Sequence, residues 1–488
     1  MNDEQRSQVL DNAKYLREVR PIDPEEIHEY VEGQPHPAAV RQVLRENAFA
    51  LGLLERSDGR FEPTTDEPLT VAFDGVDELP ESLSHTLEGM LIEKFGPGWP
   101  DGTSGERLRA TIRDFKSRYL RGDAVTYDDI TALGYAIYHF PSYYAASQYV
   151  FADLIEDGLL TDRLRVLDVG AGVGGPALGL DTLLGPETLV DYHGVEPSEA
   201  ASVLERMLEE TGKNVHSTIH REPIETVDLE GEFDLIICAN VLSELGEPGA
   251  VLHSLLEHLA PDGTMCALSP ADRNTAIALR ELERTVEREA GVTIYAPTVR
   301  LWPDLTPESE SWSFDRKPDL DVPGFQRKLD EGDRSVDSQA KADQAGQIDQ
   351  EKRRPPGDGE FVNVDVQYAY SILRRDGKRS IEFTPRSGRV AKMAETEKHV
   401  TDRIDLYGIK LSHDLSDGEN PLYLVGDGSQ QIDHFAVLPR QSALNRALET
   451  ADYGDLLQFE NVLVLWNDDE GAYNLVVDGE TIVERIPT

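Results

Sequence analysis

The chain has 488 residues, a length that predicts two to four domains and excludes a single small module. Its 92 acidic and 47 basic residues give a formal net charge of -45. The acids are spread over the whole chain, and Lys is scarce, with 12 Lys against 35 Arg. We interpret this as a surface adapted to concentrated salt, which limits electrostatic repulsion to a range of about 3 Å at 1 M.

The cysteine count and the absence of long apolar runs exclude further classes of protein. Cys238 and Cys266 are the only cysteines, which excludes an internal disulfide framework and a four-cysteine metal site and favours a reducing compartment. The start, MNDEQRSQVLDNAKYLREVR, lacks the apolar segment of a signal peptide, and no run of about 18 apolar residues occurs. We therefore expect a cytoplasmic protein of a halophile with no membrane partner.

Residues 1–75 have the pattern of a winged-helix-like module. Two amphipathic segments, IDPEEIHEYVEG and PAAVRQVLRENAFALG, precede LLERSDGRFEP, which reads as a short hairpin. In a nucleic-acid interpretation, Arg41 and Arg45 of the second helix would face a groove. In the alternative, the unit is a small docking domain in which these arginines pair with Glu32 or Glu46.

Residues 76–150 are predicted to be a helical region. Within it, GERLRATIRDFKSRYLRG combines apolar residues at helical spacing with six basic residues against only two acidic ones. This basic face predicts contact with RNA phosphates, unless the cations neutralise acidic neighbours from other elements. The RNA-contact candidates on this helix are Arg107, Arg109, Arg113, Lys116 and Arg118.

Residues 151–325 alternate apolar strands with helical segments, which is typical of a parallel sheet with crossover helices. Residues 326–360 contain almost no large apolar side chains and predict a flexible acidic and polar linker. Residues 361–488 carry short alternating stretches that predict a β-rich C-terminal domain. A second basic island lies at its start, beside aromatic residues suited to stacking on single-stranded RNA. Its RNA-contact candidates are Arg374, Arg375, Lys378 and Arg379.

The strongest chemical signal is VLDVGAGVG at residues 166–174, between an apolar strand and a helical segment. Glycines here would let the backbone turn sharply and approach a ligand closely, in the crevice beyond the carboxyl ends of parallel strands. Glu196 ends the next strand, 26 residues after Gly170. An acid at this position can accept hydrogen bonds from both ribose hydroxyls of an adenosine cofactor.

The succession of LDVGAGVGG, VEPS and FDLIICANVLSEL resembles class I S-adenosylmethionine-dependent methyltransferases. The resemblance implies an α/β, Rossmann-like fold, with S-adenosylmethionine rather than a dinucleotide as the cofactor. It also implies that the loop holds the amino-acid end of the cofactor, that Glu196 holds the ribose and that the residues after the fourth strand line the methyl-transfer site. The implied loop residues are Asp168, Gly170, Ala171, Gly172 and Gly174, and the implied floor residues are Cys238, Ala239 and Asn240.

A narrower resemblance covers residues 105–325. HFPSYYAA, VEPSEA, ANVLSELGEP, YAPTVRLWPD and WSFDRKP look like the methyltransferase-like family associated with the mitochondrial small ribosomal subunit, here of halophilic archaeal type. This likeness implies the small ribosomal subunit or its rRNA as the partner. Family members hold an iron-sulfur cluster with four cysteines near the proline and tryptophan motifs. This chain has Thr298, Trp302 and Ser313 in that neighbourhood and no Cys, so we expect neither a cluster nor another metal.

Three functions follow from this sequence. The first is an S-adenosylmethionine-binding methyltransferase that acts on or docks with the small ribosomal subunit through rRNA. The second is a non-catalytic ribosome assembly factor that uses the fold as a scaffold, and the third is a small-molecule methyltransferase. The sequence identifies neither a catalytic residue nor the methyl acceptor, and it leaves the oligomeric state open.

Overall fold

A computed structural model describes residues 1–332 and 359–487, except 387, 389 and 419. The chain divides into two units, described separately below. The first comprises Met1–Ala239 and Pro318–Val366, and the second comprises Asn240–Lys317 and Gln367–Thr488. Among the described helices, none combines the length and the apolar character needed to cross a membrane.

The first unit begins with helices followed by a hairpin, the order that the sequence predicts. Their apolar faces share one core, which includes Val9, Val40 and Phe61. The two short strands pair antiparallel around the turn at Gly59, where φ is +85°. The elements are α1 (Asp3–Leu16), α2 (Pro24–Ile27), α3 (Pro37–Glu46), α4 (Ala48–Leu51), β1 (Leu53–Glu55) and β2 (Phe61–Pro63).

Three longer helices follow in the predicted helical region. They are α5 (Glu81–Phe95), α6 (Gly102–Arg121) and α7 (Asp129–Glu156). Helix α6 ends at Gly122, which has a left-handed conformation with φ of 70°. Helix α7 begins after Asp128, whose carboxylate accepts hydrogen bonds from the Ile130 and Thr131 amides. These caps place the break between the two helices at residues 122–128.

Four parallel strands form the sheet of the first unit. They lie in the order β5-β4-β3-β6, so the chain runs outward from β3 in one direction and returns to its other side for β6. This reversal beside β3 opens a crevice at the carboxyl ends of the strands. The elements are β3 (Arg163–Val169), α8 (Gly175–Leu184), β4 (Leu189–Val195), α9 (Ala200–Leu208), β5 (Val215–His220) and β6 (Phe233–Ala239).

The second unit opens with helices and antiparallel strands. Its elements here are α10 (Pro248–Glu257), β7 (Leu259–Pro270), α11 (Arg273–Ala290), β8 (Thr293–Ala296) and β9 (Asp315–Lys317). Strand β10 (Val366–Arg374) pairs antiparallel with both β7 and β8. The sequence analysis assigned this strand to the C-terminal β-rich domain. Its register with β7, from Tyr368 opposite Pro270 to Arg374 opposite Thr264, joins it instead to the strands that precede the linker.

The predicted linker at residues 326–360 begins later than expected. Helix α12 (Gly324–Glu331) of the first unit buries Phe325, Gln326 and Leu329. The Gln326 amide donates a 2.8 Å hydrogen bond to the carbonyl of Ile137, which fixes the helix against α7. Residues 333–358 of the predicted linker lie outside the described residues.

The C-terminal part of the second unit is a β barrel, as the β-rich pattern predicts. Strands β11, β12, β13, β15 and β14 pair in this order, and β14 pairs back with β11, which closes the ring around Phe459 and Leu475. Strand β16 pairs with β14 on the outside of this order. The elements are β11 (Arg403–Lys410), β12 (Leu422–Gly426), β13 (His434–Val437), α13 (Arg446–Thr450), β14 (Leu456–Asn467), β15 (Ala472–Val476) and β16 (Ile482–Arg485).

Candidate functional site

The glycine-rich loop connects β3 to α8 at the carboxyl end of the sheet. Its glycines Gly170, Gly172 and Gly174 have φ of 67°, 55° and 89°, a region that side chains rarely enter. The amides of Gly170 and Ala171 donate to the carbonyl of Val195, which ties the loop to the end of β4. A Cβ at Gly172 would make an ordinary van der Waals contact with the Gly170 carbonyl oxygen, 3.8 Å away, and would meet no side chain within 4 Å. The loop therefore presents bare backbone on which a ligand can lie.

Glu196 lies against this loop, as predicted for a ribose acid. One carboxylate oxygen accepts a 2.9 Å hydrogen bond from the Gly172 amide, and the other accepts a 2.9 Å hydrogen bond from the Ser198 amide. The side chain is buried. A carboxylate offers about four acceptor positions, so both oxygens keep acceptor capacity for a pair of hydroxyl donors.

Asp168, at the end of β3, is a fully buried carboxyl group. Its Oδ2 atom accepts a 2.8 Å hydrogen bond from the Tyr192 hydroxyl, whereas Oδ1 has no hydrogen-bond partner. The pKa of Asp168 is raised to about 7, mainly by burial and to a smaller extent by the negative charge of Glu196, against the opposing effect of the Tyr192 hydrogen bond. An unpartnered buried carboxyl oxygen is costly and suits a site that receives a donor or a cation.

The predicted floor residues follow β6. Cys238 is fully buried, and burial, together with the Asp168 carboxylate, raises the pKa of its thiol, so it stays protonated and is no nucleophile. Ala239 is half-buried at the end of the first unit. Asn240 starts the second unit in a left-handed conformation, with φ of 58°. Contact of these three residues with a cofactor stays a prediction.

Most of the predicted RNA-contact side chains of α6 make hydrogen bonds or ion pairs with other residues of the first unit. Arg109 is fully buried and donates to the carbonyls of Pro100 and Leu329. Arg113 makes two hydrogen bonds, of 2.6 and 2.7 Å, to the Glu360 carboxylate. Arg109 is therefore corrected from a predicted RNA contact to a structural residue, because it is fully buried. Arg113 is exposed, and its contact with RNA stays a prediction.

The rest of this set divides between paired and exposed residues. The Lys116 ammonium donates to the Tyr138 hydroxyl and also lies 4.3 Å from the centre of its ring. Arg118 donates to Asp114 one turn earlier. Arg107 is exposed, so it is the member of the set that best keeps the predicted role.

The second basic island is also partly internal. Arg374 is 1% exposed and donates to Asp376, to Thr264 and to a backbone carbonyl. Arg375 and Arg379 donate to backbone carbonyls as well. Arg374 is therefore a structural residue rather than an RNA contact. The Lys378 side chain is 63% exposed and suits a contact with phosphate best.

The two arginines of the winged-helix-like module pair with an acidic residue other than Glu32 or Glu46, the partners predicted from the sequence. Arg45 makes two hydrogen bonds to the buried carboxylate of Glu55 on β1, and Arg41 lies 3.9 Å from the same group. The backbone of Glu55 in turn exchanges hydrogen bonds with the side chain of Asn214. This geometry supports the docking interpretation, with Glu55 in place of Glu32 or Glu46.

The structure contains a row of aromatic side chains that was not identified from the sequence as a candidate site. Tyr135, His139 and Tyr143 recur every four residues along α7, and Tyr127 precedes the helix. All four are half-buried. We call these four residues the aromatic wall. The spacing alone places three of the rings on one face of α7, and it was the signal that could have found them.

The neighbourhood expected for cluster cysteines is occupied by hydrogen-bonded side chains of the second unit. The Thr298 hydroxyl donates to Glu283, and the Trp302 indole donates a 2.7 Å hydrogen bond to Asp427. The Ser313 and Tyr453 hydroxyls lie 2.6 Å apart. Within the part of the chain that the structure describes, no group of three His, Cys, Asp or Glu side chains is placed to hold a metal ion.

Comparison with known families identifies the central segment. A family described as "Methyltransferase domain" matches residues 167–265. The N-terminal and C-terminal domains of a family described as "Domain of unknown function (DUF8157)" match residues 6–57 and 394–486. No curated protein matches the chain.

Several solved methyltransferases are similar to part of the chain. Magnesium protoporphyrin IX methyltransferase from Synechocystis PCC 6803, with bound S-adenosylmethionine, is 20% identical, with 39% of this chain and 89% of that chain covered and a TM-score of 0.27. A methyltransferase from Clostridium acetobutylicum ATCC 824 is 15% identical, with 33% and 57% covered and a TM-score of 0.23. This chain thus spans little more than half the length of the Clostridium protein.

The sheet order, the glycine loop and the domain match define a Rossmann-like class I methyltransferase fold. The cofactor of this class is S-adenosylmethionine. The residues present fit it, because the unpartnered Asp168 oxygen and the two oxygens of Glu196 offer acceptors for an ammonium group and two vicinal hydroxyls.

Proposed function

We propose that this protein is an S-adenosylmethionine-dependent methyltransferase whose acceptor is RNA of the small ribosomal subunit. The observation that carries the first part is the pair of buried carboxyl groups at the strand ends. Asp168 keeps an oxygen without a partner, and Glu196 is already oriented by two amides. Both lie beside a loop whose backbone is open to a ligand.

Each of these residues has a separate part in cofactor binding. Glu196 would accept the ribose hydroxyls, Asp168 would receive the ammonium group, and the loop from Gly170 to Gly174 would let the backbone approach closely. The bound cofactor supplies a methyl group activated by a sulfonium. The chain's contribution to transfer is to position the acceptor and to exclude water, which needs no acid or base among its side chains.

The choice of RNA as the acceptor rests on the sequence resemblance and on exposed cations in the two basic segments. Arg107 and Lys378 are exposed in a chain of net charge -45, and exposed cations of this kind can contact phosphates. Most of the other predicted contacts are engaged internally. For this reason the experiments below also distinguish two other functions, a non-catalytic scaffold in ribosome assembly and a small-molecule methyltransferase.

Cofactor binding is tested by the substitution Glu196→Ala, with Glu199→Ala as its matched control. Glu199 is exposed and lies three residues further along the chain. Removing the hydrogen bonds of a charged acceptor predicts a loss of affinity for S-adenosylmethionine of at least about 10-fold, whereas the control is expected to bind like the wild type. Isothermal titration calorimetry in molar potassium chloride measures both. Equal affinity in all three proteins would contradict the assigned site.

The acceptor is tested in a deletion strain. Sedimentation of the tagged protein in molar potassium chloride should place it with small subunits or their precursors, and mapping should reveal rRNA methyl groups that are missing without the gene. Restoration by the wild type but not by Glu196→Ala supports rRNA methylation. Normal subunit assembly with Glu196→Ala and no missing methyl group would instead identify a scaffold. Absence from every ribosomal fraction, with rRNA methylation intact, would favour a small-molecule acceptor.

A further inference from the structure

The aromatic wall begins and ends on the two segments that flank the cofactor site. At one end, the carbonyl of Tyr127 accepts a 3.2 Å hydrogen bond from the Glu199 amide, three residues beyond Glu196. At the other end, a Cβ placed on Gly175, at the start of α8, would lie 3.1 Å from the Cβ of Tyr143. The row therefore runs from the ribose acid to the end of the glycine loop.

The rings between these two ends are continuous. The centres of Tyr127 and Tyr135 lie 5.3 Å apart, edge to face, and those of Tyr135 and His139 lie 4.7 Å apart. His139 and Tyr143 are stacked, with ring centres 5.1 Å apart and an angle of 16° between their planes. The four residues thus form one continuous row, whose first residue contacts the segment after Glu196 through its backbone carbonyl and whose last contacts the start of α8 through its Cβ.

This placement matters because of the charge that the cofactor carries. S-adenosylmethionine has a sulfonium between its ribose and its amino-acid end, whereas the product, S-adenosylhomocysteine, has an uncharged thioether there. Aromatic ring faces attract cations within about 6 Å of the ring centre, and they attract a neutral thioether sulfur through the weaker sulfur–aromatic contact alone. Rings between the two segments that flank the cofactor site could therefore interact more strongly with the charged sulfonium than with the uncharged thioether.

We propose that the aromatic wall forms the side of the cofactor site that meets the sulfonium, and that it gives the site a preference for S-adenosylmethionine over S-adenosylhomocysteine. The proposal rests on the proposed function, because it assumes that this cofactor binds. The wall adds no formal charge of its own that would repel the cation. Burial, and secondarily the charge of Lys116, lowers the pKa of His139 to about 3, so its ring is neutral at physiological pH.

The test compares the affinities of three ligands for four proteins at one fixed concentration of potassium chloride. The ligands are S-adenosylmethionine, S-adenosylhomocysteine and sinefungin, which carries an amine in place of the methylated sulfur. The proteins are the wild type, Tyr143→Leu, Tyr143→Phe and Tyr149→Leu. Tyr149 is also half-buried and lies on α7, where its ring packs on Phe73 instead of the wall.

We expect Tyr143→Leu to weaken binding of the two cationic ligands about 3- to 30-fold while S-adenosylhomocysteine changes less than about twofold. Tyr143→Phe keeps the ring face and should keep the wild-type ratio of affinities. Tyr149→Leu should change none of the three. Calorimetric stoichiometry reports the folded fraction separately from the dissociation constant, and Tyr135→Leu provides a second variant of the wall.

The outcomes separate this proposal from the function on which it rests. If the wild type binds none of the three ligands, the proposed function fails and this inference fails with it. If the wild type binds them, but Tyr143→Leu and Tyr135→Leu weaken all three equally, the wall only packs against the site and the inference alone is overturned. The same holds if sinefungin follows S-adenosylhomocysteine, since charge is then not what is recognised.

Discussion

Replacing Asp168 by Asn should change how the stability of the ligand-free protein depends on pH. The pKa of Asp168 is about 7 in the folded protein because the group is buried, against about 3.9 for Asp in an unfolded chain. Between these two values the folded protein holds a proton that the unfolded chain has released. The free energy of unfolding therefore falls as pH rises through this window, and it becomes constant above it.

The size of the effect follows from the two pKa values. Their difference corresponds to about 4 kcal/mol in total, of which about 3 kcal/mol is lost between pH 5 and pH 8. Asn has nearly the same shape, cannot ionise and can still accept the hydrogen bond from Tyr192. The free energy of unfolding of Asp168→Asn should therefore fall by about 3 kcal/mol less than that of the wild type over this range.

The assay is urea denaturation at pH 5, 6, 7 and 8 in constant molar potassium chloride, followed by tryptophan fluorescence. The other titrating groups are common to both proteins, so the difference between their curves isolates Asp168. Asp58→Asn is the control. Asp58 is exposed in the hairpin turn, so this substitution removes the same charge from the surface. Parallel curves for Asp168→Asn and the wild type would refute the reasoning, since they would mean that burial does not hold the proton on Asp168.

Two further substitutions test the loop and the second basic island. Gly174→Ala and Gly122→Ala both force a side chain into left-handed backbone, which costs about 1–2 kcal/mol by denaturation. The loss should be larger for Gly174→Ala, because its Cβ would also lie 2.9 Å from the Leu204 Cδ1 atom, whereas the space at Gly122 is open. Only Gly174→Ala should also weaken S-adenosylmethionine binding by calorimetry, and equal effects on binding would contradict the assigned loop. Arg374→Met should destabilise the protein by about 1.5–3 kcal/mol, because the buried guanidinium loses its charged hydrogen bonds to Asp376, Thr264 and the Asp262 carbonyl. Lys378→Met, an exposed neighbour, should cost under about 1 kcal/mol, and equal losses would argue against the structural role of Arg374.

The sequence predicts the position of the glycine loop between β3 and α8 because the information is local. The glycines, Asp168 and Glu196 belong to adjacent strand ends, and parallel strands bring such ends together. The roles of the arginines depend on distant residues instead. Arg113 pairs with Glu360, which is 247 positions away, so the charge pattern of α6 alone suggested a free basic face.

The sheet to which β10 belongs could not be predicted from the sequence, for a similar reason. Its alternating pattern is typical of a strand in any antiparallel sheet and does not specify the partner. Its pairing with β7 joins residues separated by the whole predicted linker, from Tyr368 opposite Pro270 onward. Sequence pattern therefore gives the kind of element here, while the long-range register decides the sheet to which it belongs.

The two hydrogen bonds that Glu196 accepts have a kinetic consequence. Because the Gly172 and Ser198 amides hold its carboxylate, the acceptor is oriented before any ribose arrives, and little side-chain freedom is lost on binding. Preorganisation of this kind typically acts by slowing ligand departure more than by speeding arrival. With the ribose-binding role proposed for Glu196, its carboxylate would set the residence time of the nucleoside rather than its rate of capture.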